Sequence, residues 1–363
     1  MDFGMFVLTV LALIGTILLS LLITVPFLSL VIRYRAHYSP RALGLPDSDS
    51  PAAPLTPSSA SPFHTGPEIK GILHLLSRIR AQEGWAGLYK GICPVLAESF
   101  LGGFVSLLYF GISSPGMGVG AGSSYAVAPR FGIAAFGWAV FSLLLNLPMT
   151  VILNRSITTP YKLSYSPIRA LRLLLSPSEF RAPWKLYALP GLLPTKLLHI
   201  AYLVLLLPAL RALLVPSFRA PSTYEPGEDW ADDVAGAAGM GFWGGMGLGT
   251  YVVFLLLSTA VLCPLEIVAL RLSLQPLSGP TVAGAAPVHP AAPGLGTNLP
   301  ASQEPALFGT EEDVIHLRTP ESGGEPYEGM RDCWKKIVQE EGWRVLARAW
   351  WLTLIGTVAA GFS

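Results

Sequence analysis

Residues 83–91 read EGWAGLYKG and residues 341–349 read EGWRVLARA, so that the two stretches lie at a constant offset of 258. The offset also holds upstream, where Ile79 matches Ile337. A segment that recurs at a fixed offset together with its flank is typical of a repeat architecture. We therefore expect the chain to contain an internal repeat, each copy with a short amphipathic helix before the Glu-Gly-Trp.

A second pattern recurs three times, a proline followed seven residues later by an arginine at the end of an apolar stretch. The pairs are Pro26 with Arg33, Pro148 with Arg155, and Pro264 with Arg271. The prolines lie 122 and 116 residues apart. One such pair is a weak signal, but three that each end an odd-numbered apolar stretch predict three copies of one unit. In the middle copy, the sequence after the apolar stretch matches the other two copies less well.

The composition indicates a membrane protein. Hydrophobic residues make up 52% of the 363 residues and charged residues only 13%, against about 25% charged in soluble domains. A membrane-spanning helix needs roughly 20 apolar residues. Six apolar stretches approach this length, at about 5–32, 92–111, 131–153, 189–214, 236–263 and 345–361. No Lys or Arg precedes the first stretch, which favours a transmembrane helix over a signal peptide.

The basic residues predict the topology. Loops after the first, third and fifth stretches hold 20 of the 24 Lys and Arg, while residues 225–233 on the other side are acidic. Such asymmetry favours an even number of crossings with both termini on the base-poor side. The net charge of +1 indicates no nucleic-acid partner.

Several segments allow simple interpretations. Residues 36–66 and 276–326 are rich in Pro, Ser, Gly and Ala, which predicts disordered insertions. The Gly-rich stretch GMGFWGGMGLGTY at 239–251 fits either close helix approach or local flexibility. Cysteine spacing fits no metal site or disulfide framework; a packing role is predicted for Cys93, Cys263 and Cys333.

Together these motifs resemble the mitochondrial carrier family. In that family an odd helix ends in Pro-x-acid-x-x-base-x-base, and an acid-Gly-x4-aromatic-base-Gly motif precedes the even helix. The second motif is matched by Glu83, Gly84, Tyr89, Lys90 and Gly91. The resemblance implies an all-α membrane protein, with six transmembrane helices in three pseudo-threefold repeats and short surface helices. The repeats would span 1–115, 130–215 and 236–363.

The gate positions depart from the family pattern. The acid positions hold Leu28, Thr150 and Glu266, and the partner base positions hold Val31, Leu153 and Ala269. Only Glu266 keeps its charge, and we expect it to reach water or one of the remaining arginines. Arg33, Arg155 and Arg271 occupy the outer base position and are expected to face the surface.

The resemblance also implies a substrate site on the even helices. Counting from the motif glycines assigns it to Glu98, Leu198, His199 and Gly356, with Lys196 as the alternative if the second copy is shifted by two residues. An acidic residue suits a cationic or amino-bearing ligand. Glu98 can equally be a structural hydrogen-bonding group, and His199 a packing residue.

The expected function is transport of a small solute by alternating access, by a monomer in the mitochondrial inner membrane. The alternative is a non-transporting carrier-fold protein of the outer membrane, acting in membrane dynamics or protein insertion. The sequence contains no enzyme motif, and we expect no cofactor and no metal. The expected partners are the solute and the lipid bilayer.

Overall fold

The computed structural model describes residues 3–40, 69, 71–113, 133–163, 166–215, 241–277, 314–318 and 325–362. This part of the chain is helical. The α-helices are α1 (Phe3–Ala36), α2 (Ile72–Gln82), α3 (Gly84–Leu88), α4 (Ile92–Ser113), α5 (Ile133–Thr158), α6 (Pro167–Leu174), α7 (Pro177–Arg181), α8 (Leu192–Ala201), α9 (Leu207–Leu214), α10 (Gly241–Leu274), α11 (Met330–Glu340) and α12 (Trp350–Phe362). Two 3₁₀ helices cover Pro183–Ala188 and Trp343–Ala347, and a π-helical turn, Tyr202–Leu206, joins α8 to α9.

The long helices are those of a membrane protein. Within the described residues, five helical stretches are long and apolar enough to cross a bilayer, namely Gly15–Ala36, Gly84–Val105, Ala135–Thr158, Leu192–Leu214 and Gly247–Leu274. The last apolar helix, Trp350–Gly361, is shorter than these. At a rise of about 1.5 Å per residue, it covers less than the ~30 Å hydrocarbon core.

The two predicted surface helices are present, and they match closely. Both α2 and α11 have 11 residues and follow a glycine. Leu75 and Ile79 are the buried residues of α2, and Cys333 and Ile337 are those of α11. Residues four apart lie on one face of a helix, so each helix packs against the bundle along one apolar stripe.

Proline interrupts the helical hydrogen bonds of α1, α5 and α10, and a tyrosine hydroxyl compensates for this in α1 and α5. Proline lacks an N–H, so it leaves the carbonyl four residues earlier without its helical partner. The Tyr89 hydroxyl donates to the Leu22 carbonyl at 3.2 Å, four residues before Pro26. The Tyr187 hydroxyl donates to the Leu144 carbonyl at 2.8 Å, four residues before Pro148. The third copy has Ala347 in register with Tyr89, a residue with no hydroxyl.

Substituting Tyr89 or Tyr187 with phenylalanine is expected to lower the free energy of unfolding by about 1–3 kcal/mol, because the carbonyl is left unpaired in lipid. Thermal unfolding of the purified protein measures this change. Tyr34→Phe is the control, since the Tyr34 ring packs under Arg348 and phenylalanine keeps that contact. Equal stability of Tyr34→Phe and Tyr89→Phe would contradict the proposed role of the hydroxyls.

Part of the predicted insertion 276–326 is packed against the bundle. In residues 314–318, hereafter the docked segment, Val314 and Ile315 are buried in a cluster with apolar residues of α1, α2, α5 and α10. The Tyr38 N–H donates to the His316 carbonyl at 2.8 Å, and Arg318 pairs with Glu340 of α11 at 2.8 Å. The prediction of disorder is therefore wrong for these residues. Residues 41–68, most of the other predicted insertion, lie outside the described part.

The docked segment meets a histidine that must stay neutral. The His316 N–H donates to His37 Nδ1 at 3.3 Å, which requires an unprotonated nitrogen. Burial, and then the positive charges of Arg348, His316 and Arg271, lower the pKa of His37 to about 3. A base with a lowered pKa binds protons more weakly in the folded than in the unfolded state, so stability falls as the pH drops below the unfolded value of about 6.5.

We expect the protein to lose about 2 kcal/mol of stability between pH 6.5 and pH 5, at about 1.4 kcal/mol per pH unit. His37→Asn keeps an oxygen acceptor near the Nδ1 position but cannot be protonated in this range. Melting temperatures measured across this interval should therefore fall more steeply for the parent than for the variant. Parallel curves would contradict the assignment to His37.

The structure tests two further predictions, the role of the Gly-rich stretch at 239–251 and the packing role of the cysteines. A Cβ built on Gly247 would lie 2.4 Å from the Leu214 carbonyl oxygen, so this part of the Gly-rich stretch provides close approach between α9 and α10. Cys263 and Cys333 are buried in the core cluster, as the packing role predicts. Cys93 is exposed, so that prediction is wrong for Cys93.

Candidate functional site

The arginines after the three helix prolines are buried, which corrects the expectation that they face the surface. Each pairs with a glutamate that follows its helix in the chain. Arg33 Nη2 lies 2.7 Å from Glu83, Arg155 Nη1 lies 2.7 Å from Glu179, and Arg271 Nη2 lies 3.0 Å from Glu341. Lys90 makes a second contact with Glu83 at 2.8 Å.

The same arginines join the three helices in a cycle. Arg33 of α1 donates to the Ile157 carbonyl near the end of α5 at 3.0 Å. Arg155 of α5 donates to the Ser273 carbonyl near the end of α10 at 3.1 Å. Arg271 of α10 donates to the His37 carbonyl just after α1 at 3.0 Å. These three arginines with Glu83, Glu179 and Glu341 form the arginine ring, which holds the base-rich ends of α1, α5 and α10 together.

Glu179 is the member of the ring that the sequence analysis missed. It lacks the following glycine that marks Glu83 and Glu341. Its available signal is the capping box formed with Ser176, because Ser-x-x-Glu marks a helix start. Although burial alone would raise the pKa of Glu179, the hydrogen bonds and charge of Arg155 hold that pKa below its ordinary value.

Deeper in the bundle, polar side chains from six helices form the central polar cluster. Its members are Arg35 of α1, Glu98 of α4, Thr150 of α5, Lys196 and His199 of α8, Glu266 of α10, and Thr353 of α12. Glu266 is its best-connected carboxylate. Arg35 Nη1 lies 2.7 Å from Glu266, the Thr353 hydroxyl donates to it at 2.7 Å, and His199 Nε2 lies 3.9 Å away.

Arg35 is held independently of Glu266. It donates to the Arg348 and Ala349 carbonyls, at 3.3 and 3.2 Å, and to the Thr353 hydroxyl at 2.8 Å. Of the two outcomes expected for Glu266, pairing with Arg33, Arg155 or Arg271 is wrong, because its partner is Arg35. Its side chain is 27% exposed, which agrees with the other expected outcome, contact with water. The sequence offers one signal for Arg35, a second basic residue just beyond the first motif arginine, and none for Thr353 beyond a hydroxyl in an apolar helix.

Glu98 and Lys196 form the other side of the cluster. Glu98 accepts from the Thr150 hydroxyl at 3.3 Å, and that hydroxyl also contacts the Asn146 carbonyl at 3.1 Å. Lys196 interacts electrostatically with both Glu98 and Glu266. Lys196 and His199 are three residues apart on α8 and lie on one helix face, so the structure brings the primary and alternative candidates together.

The remaining predicted positions, Leu198 and Gly356, contribute no polar side chain to the cluster. Leu198 is 47% exposed, and a Cβ built on Gly356 would meet nothing within 4 Å. Towards the other end of the bundle, Arg211 of α9 donates to the Gly361 carbonyl of α12 at 3.2 Å. A cation that binds the last carbonyls of a helix acts as a cap.

Apolar side chains occupy the base positions of the gate motif. Val31, Leu153 and Ala269 are all buried. Leu153 belongs to the cluster that contains Val314 and Ile315 of the docked segment. In this structure the ends of α1, α5 and α10 therefore meet through apolar packing and the arginine ring.

The fold and the two polar clusters define the chain as a helical membrane protein with a charged interior. Comparisons of the chain with protein-family models, with curated proteins and with solved structures give no match.

Proposed function

We propose that the protein is a transporter of a small solute, a divergent carrier of six transmembrane helices in three repeats. The observation that carries the proposal is the central polar cluster, to which six helices each contribute a polar side chain. Charged residues at membrane depth are costly and usually mark a transport pathway or binding site. The solute would bind there, between the two ends of the bundle.

The alternating-access part of the proposal rests on the different construction of the two ends. The base-rich end is held by the arginine ring and the docked segment, and the other by contacts such as that of Arg211 with Gly361. In transporters built from repeats, a central site opens to alternate sides as the repeats move. Each of α1, α5 and α10 contains a proline and an arginine that pairs with a glutamate after the helix. This recurrence supports assigning one repeat to each pair of membrane helices.

Reconstitution into liposomes tests transport directly. Purified protein would be assayed with radiolabelled amino acids, polyamines, organic cations and carboxylates, and uptake compared with protein-free vesicles. We expect saturable uptake of at least one solute, with a loss of at least tenfold in Glu266→Gln. Folded protein that accumulates none of these solutes would refute the proposal.

One observation favours the second candidate, a non-transporting protein that acts in membrane dynamics or protein insertion. The base-rich end combines a ring of buried ion pairs with apolar gate positions, and opening it would expose both. We assign the transporter to the mitochondrial inner membrane and this alternative to the outer membrane. Protease protection of intact mitochondria, followed by selective rupture of the outer membrane, separates the two locations.

A further inference from the structure

Glu98 and Lys196 are the oppositely charged members of the central polar cluster that form no ion pair with a described residue. Glu98 receives one hydrogen bond, from a Thr150 hydroxyl whose single proton also faces the Asn146 carbonyl. The Lys196 ammonium has three donor hydrogens and makes no hydrogen bond within the described parts of the chain. Both side chains therefore have unused capacity to bind charge.

The other charged pair of the cluster is already complete. Arg35 and Glu266 lie 2.7 Å apart, and three further groups hold them, the Thr353 hydroxyl and the Ala349 and Arg348 carbonyls. A solute that displaced either partner would leave a buried charge unpaired, which is strongly unfavourable. Arg35 and Glu266 thus serve as one wall of the site and leave recognition to Glu98 and Lys196.

A third unpaired group adjoins Lys196. His199 Nδ1 is buried and has no hydrogen-bond partner among the described residues. Because positions 196 and 199 share a face of α8, the ammonium and the imidazole face the same region. Glu98 belongs to another helix, α4, and interacts electrostatically with Lys196.

We propose that this site takes a zwitterionic amino acid, with the ammonium group at Glu98 and the carboxylate at Lys196. This inference rests on the proposed transport function and names its substrate class. A carboxylate alone would leave Glu98 without a cation, and an amine alone would leave Lys196 without an anion. A site built for charged groups rejects the analogue that lacks one, because its own buried group is then left unpaired.

Matched triplets of solutes test the substrate class. L-Alanine, L-serine and L-leucine would each be compared in proteoliposomes with the amine that lacks the carboxylate and the acid that lacks the amino group. We expect at least one amino acid to enter ten times faster than its amine and its acid. Wild-type uptake of an amine or an acid at the rate of its amino acid would overturn the zwitterion while leaving transport intact.

Charge-neutral variants assign the two contacts. Glu98→Gln should slow amino-acid uptake at least tenfold and bring it close to that of the matching acid. Lys196→Gln should slow it likewise and bring it close to that of the matching amine. Such opposite changes in specificity are not expected from structural damage. Ser99→Ala on α4 and Lys185→Gln outside the spans are the controls, and both should keep the wild-type rate and preference.

Binding measured without transport separates the inference from the proposed function. The melting temperature of detergent-solubilised protein would be recorded with each amino acid, since a ligand that binds the folded state raises it. Stabilisation that is lost in Glu98→Gln and Lys196→Gln, without uptake by the wild type, would refute transport and support the zwitterion site. Neither stabilisation nor uptake would overturn both.

Discussion

Replacing Arg155 with methionine is expected to lower the free energy of unfolding by about 3–5 kcal/mol, since it leaves a buried carboxylate unpaired. Arg155 is 2% exposed and Glu179 is fully buried. Two contacts join them, at 2.7 and 3.0 Å. Arg155 also binds three carbonyls, those of Leu174, Ser273 and Gln275. The substitution would therefore detach the end of α10 from α5.

A double-mutant cycle separates the ion pair from these carbonyl contacts. Arg155→Met with Glu179→Met removes both charges, so the double variant should lose less stability than the sum of the single losses, by about 1–3 kcal/mol. Arg181→Met is the control, because Arg181 is exposed on the adjacent helix α7, and it should change stability by less than about 0.5 kcal/mol. Additive single effects would show that Arg155 acts through its carbonyl contacts alone.

The helices joined by the arginine ring could be predicted from the sequence, but the partners of its arginines could not. The apolar stretches and the paired Glu-Gly-Trp stretches are local signals, and they located α1, α5, α10, α2 and α11, although α10 continues to Leu274, beyond the predicted end at 263. The partner of each arginine is a long-range contact whose separation differs from copy to copy, being 50 residues for Arg33 and 24 for Arg155. No fixed spacing could have identified Glu179.

The central polar cluster was predicted in part, for a related reason. Counting from the motif glycines, as the resemblance to the carrier family implies, selected Glu98 and His199, with Lys196 as the alternative. The same count also selected Leu198 and Gly356, which contribute no polar side chain to the cluster. Arg35 was not predicted because its partners, Glu266 and the residues at the start of α12, are far from it along the chain. The packing of the docked segment was not predicted, because the low-complexity composition around it masks the short apolar pair Val314-Ile315.

The docked segment and the arginine ring bear on the transport proposal together. Both act at the base-rich end, and the docked segment binds two groups that must keep one protonation state, neutral His37 and charged Glu340. Burial alone would raise the pKa of Glu340, but hydrogen bonds from Arg318 and Tyr38 hold that pKa below its ordinary value. The contacts of this end are therefore complete near neutral pH and weaken as the solution becomes acidic.

Replacing Gly191 with alanine is expected to destabilise the protein by about 2–5 kcal/mol. Gly191 has a φ of 78°, which costs a residue with a side chain about 1–2 kcal/mol. Its added Cβ would also lie 2.3 Å from the Met330 backbone nitrogen, and overpacking of this kind costs about 1–3 kcal/mol. Backbone atoms cannot rotate away, so the start of α8 must move from the start of α11.

The third copy provides the reciprocal change. Ala349 stands where the first two copies have Gly91 and Gly191, and it keeps a positive φ of 55°. Ala349→Gly should therefore stabilise the protein by up to about 1 kcal/mol, the relieved strain less the added freedom of the unfolded chain. Thermal unfolding should rank the variants Ala349→Gly, parent, Gly191→Ala.

Gly191→Asn separates the two causes, because asparagine tolerates a positive φ but still carries a Cβ. If the clash with Met330 dominates, Gly191→Asn will be nearly as unstable as Gly191→Ala. If backbone strain dominates, asparagine will restore most of the loss. A neutral Gly191→Ala would contradict both and would mean that α8, with Lys196 and His199, is not positioned by its contact with α11.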